Sequence, residues 1–333
     1  MSRLRVAVLA GGRSSEHEIS LASARSVLES LDPERYDVVT VAIGRDGRWE
    51  LGAGDGASVA ETLPVPAANA PATLGAVDVV LPILHGPFGE DGTVQGLLEL
   101  AGVAYVGAGV AASALCMDKD LFKKVLRDSG IAVARHVALR PGDPVENPFG
   151  YPCFVKPARL GSSVGISKVH DHSELGPAVE LAFRHDEKVL IEEFLDGIEV
   201  EVGVLGNLEP VASLPGTIVP LGHEWYDYSS KYEEGGMDLV IPPDLPPDVI
   251  EQVQRIAVDA FRVTESEGME RVACFVRDET HVVVNELNTI PGFTATSVYA
   301  KLFDASGVPY EELLQKLIEL AVDRKERRSK LEY

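Results

Sequence analysis

Leu4-Arg5-Val6-Ala7-Val8-Leu9-Ala10-Gly11-Gly12-Arg13-Ser14-Ser15-Glu16-His17-Glu18 opens as an apolar run, turns on two adjacent glycines and then becomes polar. Residues 4–9 read as a buried strand, Gly11-Gly12 as its turn and residues 19–31 as the helix that follows. Residues 36–43 and 77–83 read as further strands. Apolar strands separated by helical patterns imply right-handed crossovers in a parallel α/β layer, with ligands near the carboxyl ends of the strands. Residues 10–20 therefore form a loop where a ligand is expected. The later glycines of the dinucleotide fingerprint are missing from it, which argues against a nicotinamide dehydrogenase.

Beyond this layer the pattern changes. Residues 52–75 are rich in Ala, Gly and Pro and read as a surface excursion. A helix around residues 115–129 precedes shorter strands at 133–139, 153–156, 164–169 and 189–194, the signature of a second, α+β domain starting near Cys116. Residues 215–236 are polar, aromatic and poorly periodic, and longer than ordinary connections, as an active-site lid would be. A third unit follows, with a helix near 248–263, strands at 271–276 and 281–286, and a Pro291-Gly292 turn. With 333 residues the chain exceeds one growing core, and the divisions expected are 1–115, 116–213 and 214–333, with the lid loop at 215–240.

Composition narrows the function. A hydrophobic fraction of 45% and a charged fraction of 25% are those of a soluble globular protein. No apolar run approaches the roughly 20 residues of a membrane span, and residues 1–9 lack a secretory signal, so no membrane partner and a cytoplasmic location are expected. A formal charge of −22 makes nucleic acid an unsuitable partner. Cys116, Cys153 and Cys274 lack CxxC spacing and read as reduced and structural. The basic run from Arg324 to Lys330 reads as a solvated helix end.

Two segments carry chemistry. Lys156-Pro157-Ala158-Arg159-Leu160-Gly161-Ser162-Ser163-Val164-Gly165 sets a Gly/Ser loop between two predicted strands. Small residues let backbone N–H groups approach phosphate oxygens and Lys156 supplies a charge, although such a loop on its own is more often a hairpin. In Glu286-Leu287-Asn288, at a strand end, the period of two puts Glu286 and Asn288 on one face. Two hard oxygen donors suit Mg²⁺ bridged to nucleotide phosphates, while a lone pair of this kind is commonly just a solvated strand end.

Further stretches are Gly11-Gly12-Arg13-Ser14-Ser15-Glu16-His17-Glu18, His85-Gly86-Pro87-Phe88-Gly89-Glu90-Asp91-Gly92-Thr93-Val94-Gln95-Gly96, Met117-Asp118-Lys119, Tyr226-Asp227-Tyr228-Ser229-Ser230-Lys231-Tyr232 and Asn285-Glu286-Leu287-Asn288-Thr289-Ile290-Pro291-Gly292-Phe293-Thr294. In combination and order, from Val6 to about Val322, these resemble the D-alanine–D-alanine ligase family. The resemblance implies an ATP-grasp fold: a Rossmann-like parallel-sheet N-terminal domain, a small central domain and a C-terminal mixed-sheet domain. It also implies ATP with Mg²⁺ or Mn²⁺, an acyl phosphate of one D-alanine attacked by the amine of a second, a role in peptidoglycan precursor synthesis, and a homodimer.

The resemblance further implies that Lys119 and Lys156 hold nucleotide phosphates beside Ser162 and Ser163, with Lys231 approaching from the lid. Glu192 would meet the adenine amine, Glu193, Phe194 and Leu195 would border the base, and Glu199 would bind the ribose; each carboxylate is alternatively an exposed strand charge. Glu16 would fix the first ammonium, and Ser162 and Tyr232 would connect it to the lid. Arg271 and the Gly292 N–H would stabilise the oxyanion, and Ser297, beside Val298, would receive the second carboxylate. His85 lies near the first substrate in this reading, or orders its loop. Glu286 and Asn288 would be metal ligands.

One position departs from the family: Ala273 stands where an aspartate ligand is usual, so reduced activity and a doubtful second metal are expected. Two alternatives follow, a nucleotide-binding relative with weakened catalysis and a sister ligase for another D-amino or hydroxy acid.

Overall fold

A computed structural model describes residues 3–52, 62–65, 77–220 and 237–332. Among these residues the chain builds three sheets. The first unit contains β1 (Leu4–Gly11), α1 (His17–Ser30), β2 (Tyr36–Ile43), β3 (Trp49–Gly52), β4 (Thr62–Val65), β5 (Val79–Pro82), α2 (Thr93–Ala101) and β6 (Ala104–Tyr105). Strand order is β4-β3-β2-β1-β5-β6. The expected parallel layer is present in β2-β1-β5-β6. Antiparallel β3 and β4 extend it, because a turn closed by Gly47 N–H on Gly44 C=O at 2.8 Å is too short for a crossover.

Alternation along β1 divides the core. Val6, Val8 and Ala10 pack with Ala24 and Val27 of α1, whereas Ala7 and Leu9 face Val80 and Leu98 on the other side. The chain leaves β1 toward β2 on one side and returns as β5 on the other, so the loops after β1 and β5 meet in the crevice at the switch point. Those loops carry Glu16 and His85.

The second unit contains α3 (Val110–Met117), α4 (Lys119–Asp128), β7 (His136–Leu139), β8 (Cys153–Pro157), β9 (Ser167–Val169), α5 (His172–Phe183) and β10 (Val189–Glu193). The single helix expected over 115–129 is two. Asp118 is extended (φ −89°, ψ 99°) and its carboxylate accepts the N–H groups of Asp120 and Leu121 at 3.2 Å, capping a new helix that begins at Lys119. The antiparallel sheet β7-β10-β8-β9 packs on α5 through Val155, Val189 and Ile191 against Leu175, Val179 and Ala182.

The third unit contains β11 (Ile198–Gly206), β12 (Val211–Ala212), β13 (Gly216–Pro220), β14 (Met237–Val240), α6 (Pro247–Val263), β15 (Gly268–Arg277), β16 (His281–Asn288), α7 (Val298–Ala305) and α8 (Tyr310–Arg328). Its order is β14-β13-β11-β15-β16, with β12 on β11. Every ladder is antiparallel; a parallel bridge between Val133 and Val284 makes its β16 edge mixed. β11 and β12 join this sheet although they precede residue 214. β13 and β14 pair at the two ends of the expected lid, whose residues 221–236 lie outside the described residues.

α8 then returns to the first sheet, burying Leu313, Leu317 and Ile318 with Val6 and Val8. Its basic end is solvated only in part: Lys325, Arg328 and Lys330 are exposed as expected, whereas Arg324 is not. Arg324 is buried and donates to the carbonyls of Gly107 (2.5 Å) and Tyr105 (2.6 Å), and Arg327 and Arg328 pair with Glu267 at 2.6 and 2.7 Å. The last turns of the helix cross the chain leaving β6, whose carbonyls need donors.

Candidate functional site

Two cavities meet between the sheets. The first, about 330 Å³, lies between β8 and β10 on one side and β11, β15 and β16 on the other, and is bordered by Lys119, Lys156, Ser163, Glu192, Glu199 and Glu286. Lys156, next to last in β8, lies directly across from Leu190 of β10, the strand that carries Glu192. Glu192 is buried and contacts Lys156, and Lys123 Nζ lies 2.8 Å from its other carboxylate oxygen. Burial pushes the Glu192 carboxyl up, but the two ammonium groups outweigh it and hold the group at about 2. Lys123, completely buried, is lowered by its burial. Sequence reading passed over Lys123; the available signal was its place one turn after Lys119, beside Phe122 and Leu126 on the helix face that is buried.

The segment after β10 borders the same cavity. Glu193 turns its carboxylate to Arg135, accepting from its N–H at 2.8 Å and its Nε at 2.7 Å. Phe194 stacks on Phe154 with centroids 6.2 Å apart, and Leu195 is buried. The predicted adenine border is thus assembled at one rim, with apolar and aromatic surface above charged groups.

The second cavity, about 470 Å³, brings together Glu16, His85, Ser162, Arg271, Gly292 and Ser297, with Val298 behind. Ser162 Oγ donates to Glu16 across 146 residues of sequence. Ser162 and Ser163 hold left-handed backbones (φ 51° and 57°), strain of order 1 kcal/mol each that aims the Gly/Ser loop into the crevice. Gly86 is required by its neighbour: at φ 72°, a Cβ there would stand 2.4 Å from Glu16 Oε2. Lys231 and Tyr232 lie outside the described residues.

His85 is fully buried, and burial holds its imidazole below the usual histidine range and neutral, against the pull of Glu16. Its Nδ1 lies 3.0 Å from the Ile290 carbonyl, which assigns that nitrogen as donor; Nε2 then accepts from Ser23 Oγ at 3.2 Å. Both nitrogens are occupied by protein, so this histidine orders the loop. Glu90, absent from the sequence-based site, accepts the Ile290 N–H at 2.9 Å and the Gly86 N–H at 2.7 Å. Burial, then Glu16, push its carboxyl up to about 8. Ile290 is therefore gripped at both its N–H and its C=O by the first unit, two residues before Gly292. Ser297 Oγ accepts the Thr294 N–H at 2.9 Å and stands at the N-terminus of α7, where positive helix-end potential favours a carboxylate.

Glu286 borders both cavities. Lys119 Nζ, which also donates to the Leu160 carbonyl at 2.8 Å, lies 3.1 Å from Glu286, and Arg271 Nη2 donates to Asn288 Oδ1 at 2.8 Å. The strand register aligns Arg271 with Asn288 and Ala273 with Glu286 on one face. A carboxylate and an amide oxygen side by side fit a hard divalent ion that takes its other ligands from phosphates and water. Among the described residues no group of three His, Cys, Asp or Glu side chains that could hold a metal is present.

Comparisons with known proteins agree with this geometry. Residues 5–108 match the family described as D-ala D-ala ligase N-terminus and residues 125–319 that described as D-ala D-ala ligase C-terminus. A D-alanine–D-alanine ligase of Solibacter usitatus is 46% identical over 97% of this chain and 96% of its own. The solved D-alanine-D-alanine ligase from Coxiella burnetii superposes with a TM-score of 0.86 at 38% identity, covering 99% of this chain and 97% of that one. The VanG D-Ala:D-Ser ligase from Enterococcus faecalis gives 0.87 at 35% identity, covering 96% and 100%. With both halves matched, and relatives of this identity covered nearly end to end, the chain belongs to the D-alanine–D-alanine ligase family.

Proposed function

We propose that this protein joins two D-alanines with ATP, in the cytoplasm, for peptidoglycan precursor synthesis. The observation that carries the reading is the meeting of the two cavities at Glu286, with Lys119 on the side of the first and Arg271 and Asn288 on the side of the second. ATP lies in the first cavity, its base along Phe194 and Leu195 near Glu192, its ribose at Glu199, and its phosphates over Lys119, Lys156, Ser162 and Ser163. Lys119 and Lys156 offset phosphate charge that a dry cleft would otherwise make costly.

The first D-alanine puts its ammonium on Glu16 and its carboxylate toward the γ-phosphate. Phosphoryl transfer gives an acyl phosphate and ADP; the amine of the second D-alanine attacks the acyl carbon, phosphate leaves, and the amine proton is released. The oxyanion formed in between lies at Arg271 and the Gly292 N–H, donors each worth about 3 kcal/mol when preorganised. Ser297 and the start of α7 take the second carboxylate. Mg²⁺ or Mn²⁺ held by Glu286 and Asn288 would neutralise phosphate charge. A homodimer is part of the same reading.

Phosphate release from ATP, with and without D-alanine, tests this, with the dipeptide identified by mass. D-alanine-dependent phosphate and dipeptide support it; ATP binding with neither product supports a weakened relative. The 35% likeness to a D-Ala:D-Ser ligase favours one competing acceptor, and D-serine and D-lactate belong in the same assay. Ala273→Asp completes the usual ligand set, and is expected to raise kcat and the number of Mn²⁺ ions bound with a non-hydrolysable ATP analogue. Two ions already present in the unaltered protein, and no gain from the substitution, contradict that part.

A further inference from the structure

Glu201 lies on β11, next to the strand that carries Arg271, and is 2% exposed. Its direct partner across the ladder is Ala273, and the direct partner of Arg271 is Gly203. Each of the two long side chains thus faces a residue too small to fill the space opposite it, and they meet on the diagonal, a separation that long side chains span. Glu201 Oε2 lies 3.0 Å from Arg271 Nε. Asn288 holds a second nitrogen of the same guanidinium at 2.8 Å. Gly203 cannot grow, because a Cβ there would stand 2.6 Å from the ring of Phe303 in α7. An aspartate at 273 would lie between Glu201 and Glu286 in one cross-strand row; alanine leaves Glu201 as the carboxylate of that row nearest Arg271.

We infer that Glu201 is a positioning residue of the ligation reaction, fixing the Arg271 guanidinium from the neighbouring strand. A buried carboxylate is costly without a cation, and a guanidinium on a long stem is a poor oxyanion donor unless it is held in place; the ion pair meets the first need and, together with the Asn288 hydrogen bond, the second. Glu201 does not border the acceptor cavity, so it acts through Arg271. The inference rests on the reading of Arg271 as donor to the reacting oxygen.

The test is a double-mutant cycle on the full chain with Glu201→Gln, Arg271→Met and both, reading kcat and KM for dipeptide formation together with the thermal midpoint. Glu201→Gln is expected to lower kcat roughly tenfold to hundredfold, with both KM values within about threefold, and to add no further loss to Arg271→Met. Glu201→Asp, which keeps the charge but retracts it by one methylene, is expected to fall between Gln and the unaltered chain; it carries the test if the Gln variant does not fold. Unchanged kcat in Glu201→Gln, or losses that multiply in the double variant as a merely structural residue would give, overturns the inference. Full kcat in Arg271→Met alone instead overturns the reading of Arg271, and the inference with it.

Discussion

Glu192 and Glu90 are both buried carboxyl groups, one at each cavity, and their environments drive them in opposite directions. Glu192, between Lys123 and Lys156, is held at about 2 despite its burial. Glu90, with backbone N–H donors and Glu16 as its charged neighbour, is raised to about 8. Burial is the first cause in both cases, so the partner decides the sign. In the first cavity a carboxylate holds two cations in check. In the second, the inner clamps Glu90 and His85 are kept neutral, and the proposed reading gives the substrate ammonium to Glu16.

The largest effect is expected from Glu192→Gln, which leaves Lys123 buried beside another cation. A loss of about 3 to 5 kcal/mol in urea unfolding is expected. Glu90→Gln keeps one acceptor oxygen but turns an NH2 toward the other of the two N–H groups that Glu90 accepts, and is expected to cost about 1 to 3 kcal/mol. Equal losses would erase the contrast. Next, Gly86→Ala forces a left-handed alanine against the Glu16 carboxylate. It is expected to raise the D-alanine KM at least about tenfold and lower stability by about 1 to 3 kcal/mol, with ATP binding retained. An unchanged KM would show that Glu16 does not hold the ammonium.

The pH dependence sharpens the same comparison. A raised carboxyl makes the folded state retain a proton that the unfolded chain releases, so the Glu90 contribution is complete below about 4.5 and lost as pH rises through about 8. A depressed one does the reverse: the Glu192 contribution is present above about 4.5 and lost as pH falls through about 2. Glu90→Gln should therefore flatten the alkaline side of the stability profile and Glu192→Gln the acid side, each leaving the other limb in place. The smallest effect is expected for Arg135→Ala, the exposed member of its pair with Glu193, with a loss within about 1 kcal/mol and an unchanged ATP KM.

The sequence by itself determined the three-part architecture, the α/β beginning and most residues at the two cavities. Those readings rest on local physics: apolar periodicity, glycines at tight turns, and alternation along a strand that puts Glu286 and Asn288 on one face. It did not determine which charged groups neutralise one another. The pairing of Lys123 with Glu192 joins a helix to a strand 69 positions away, and the grip of Glu90 and His85 on Ile290 spans 200 and 205. Asp118 looked like helix interior until its carboxylate was seen to cap Lys119's helix, and Arg324 looked solvated until the carbonyls of Tyr105 and Gly107 were found beneath it. Glu201 was one more alternating strand residue; only the register that sets Ala273 and Gly203 opposite the two long side chains brings it to Arg271. A side chain's type is written in the chain, but its charge state and its task depend on neighbours that long-range packing supplies.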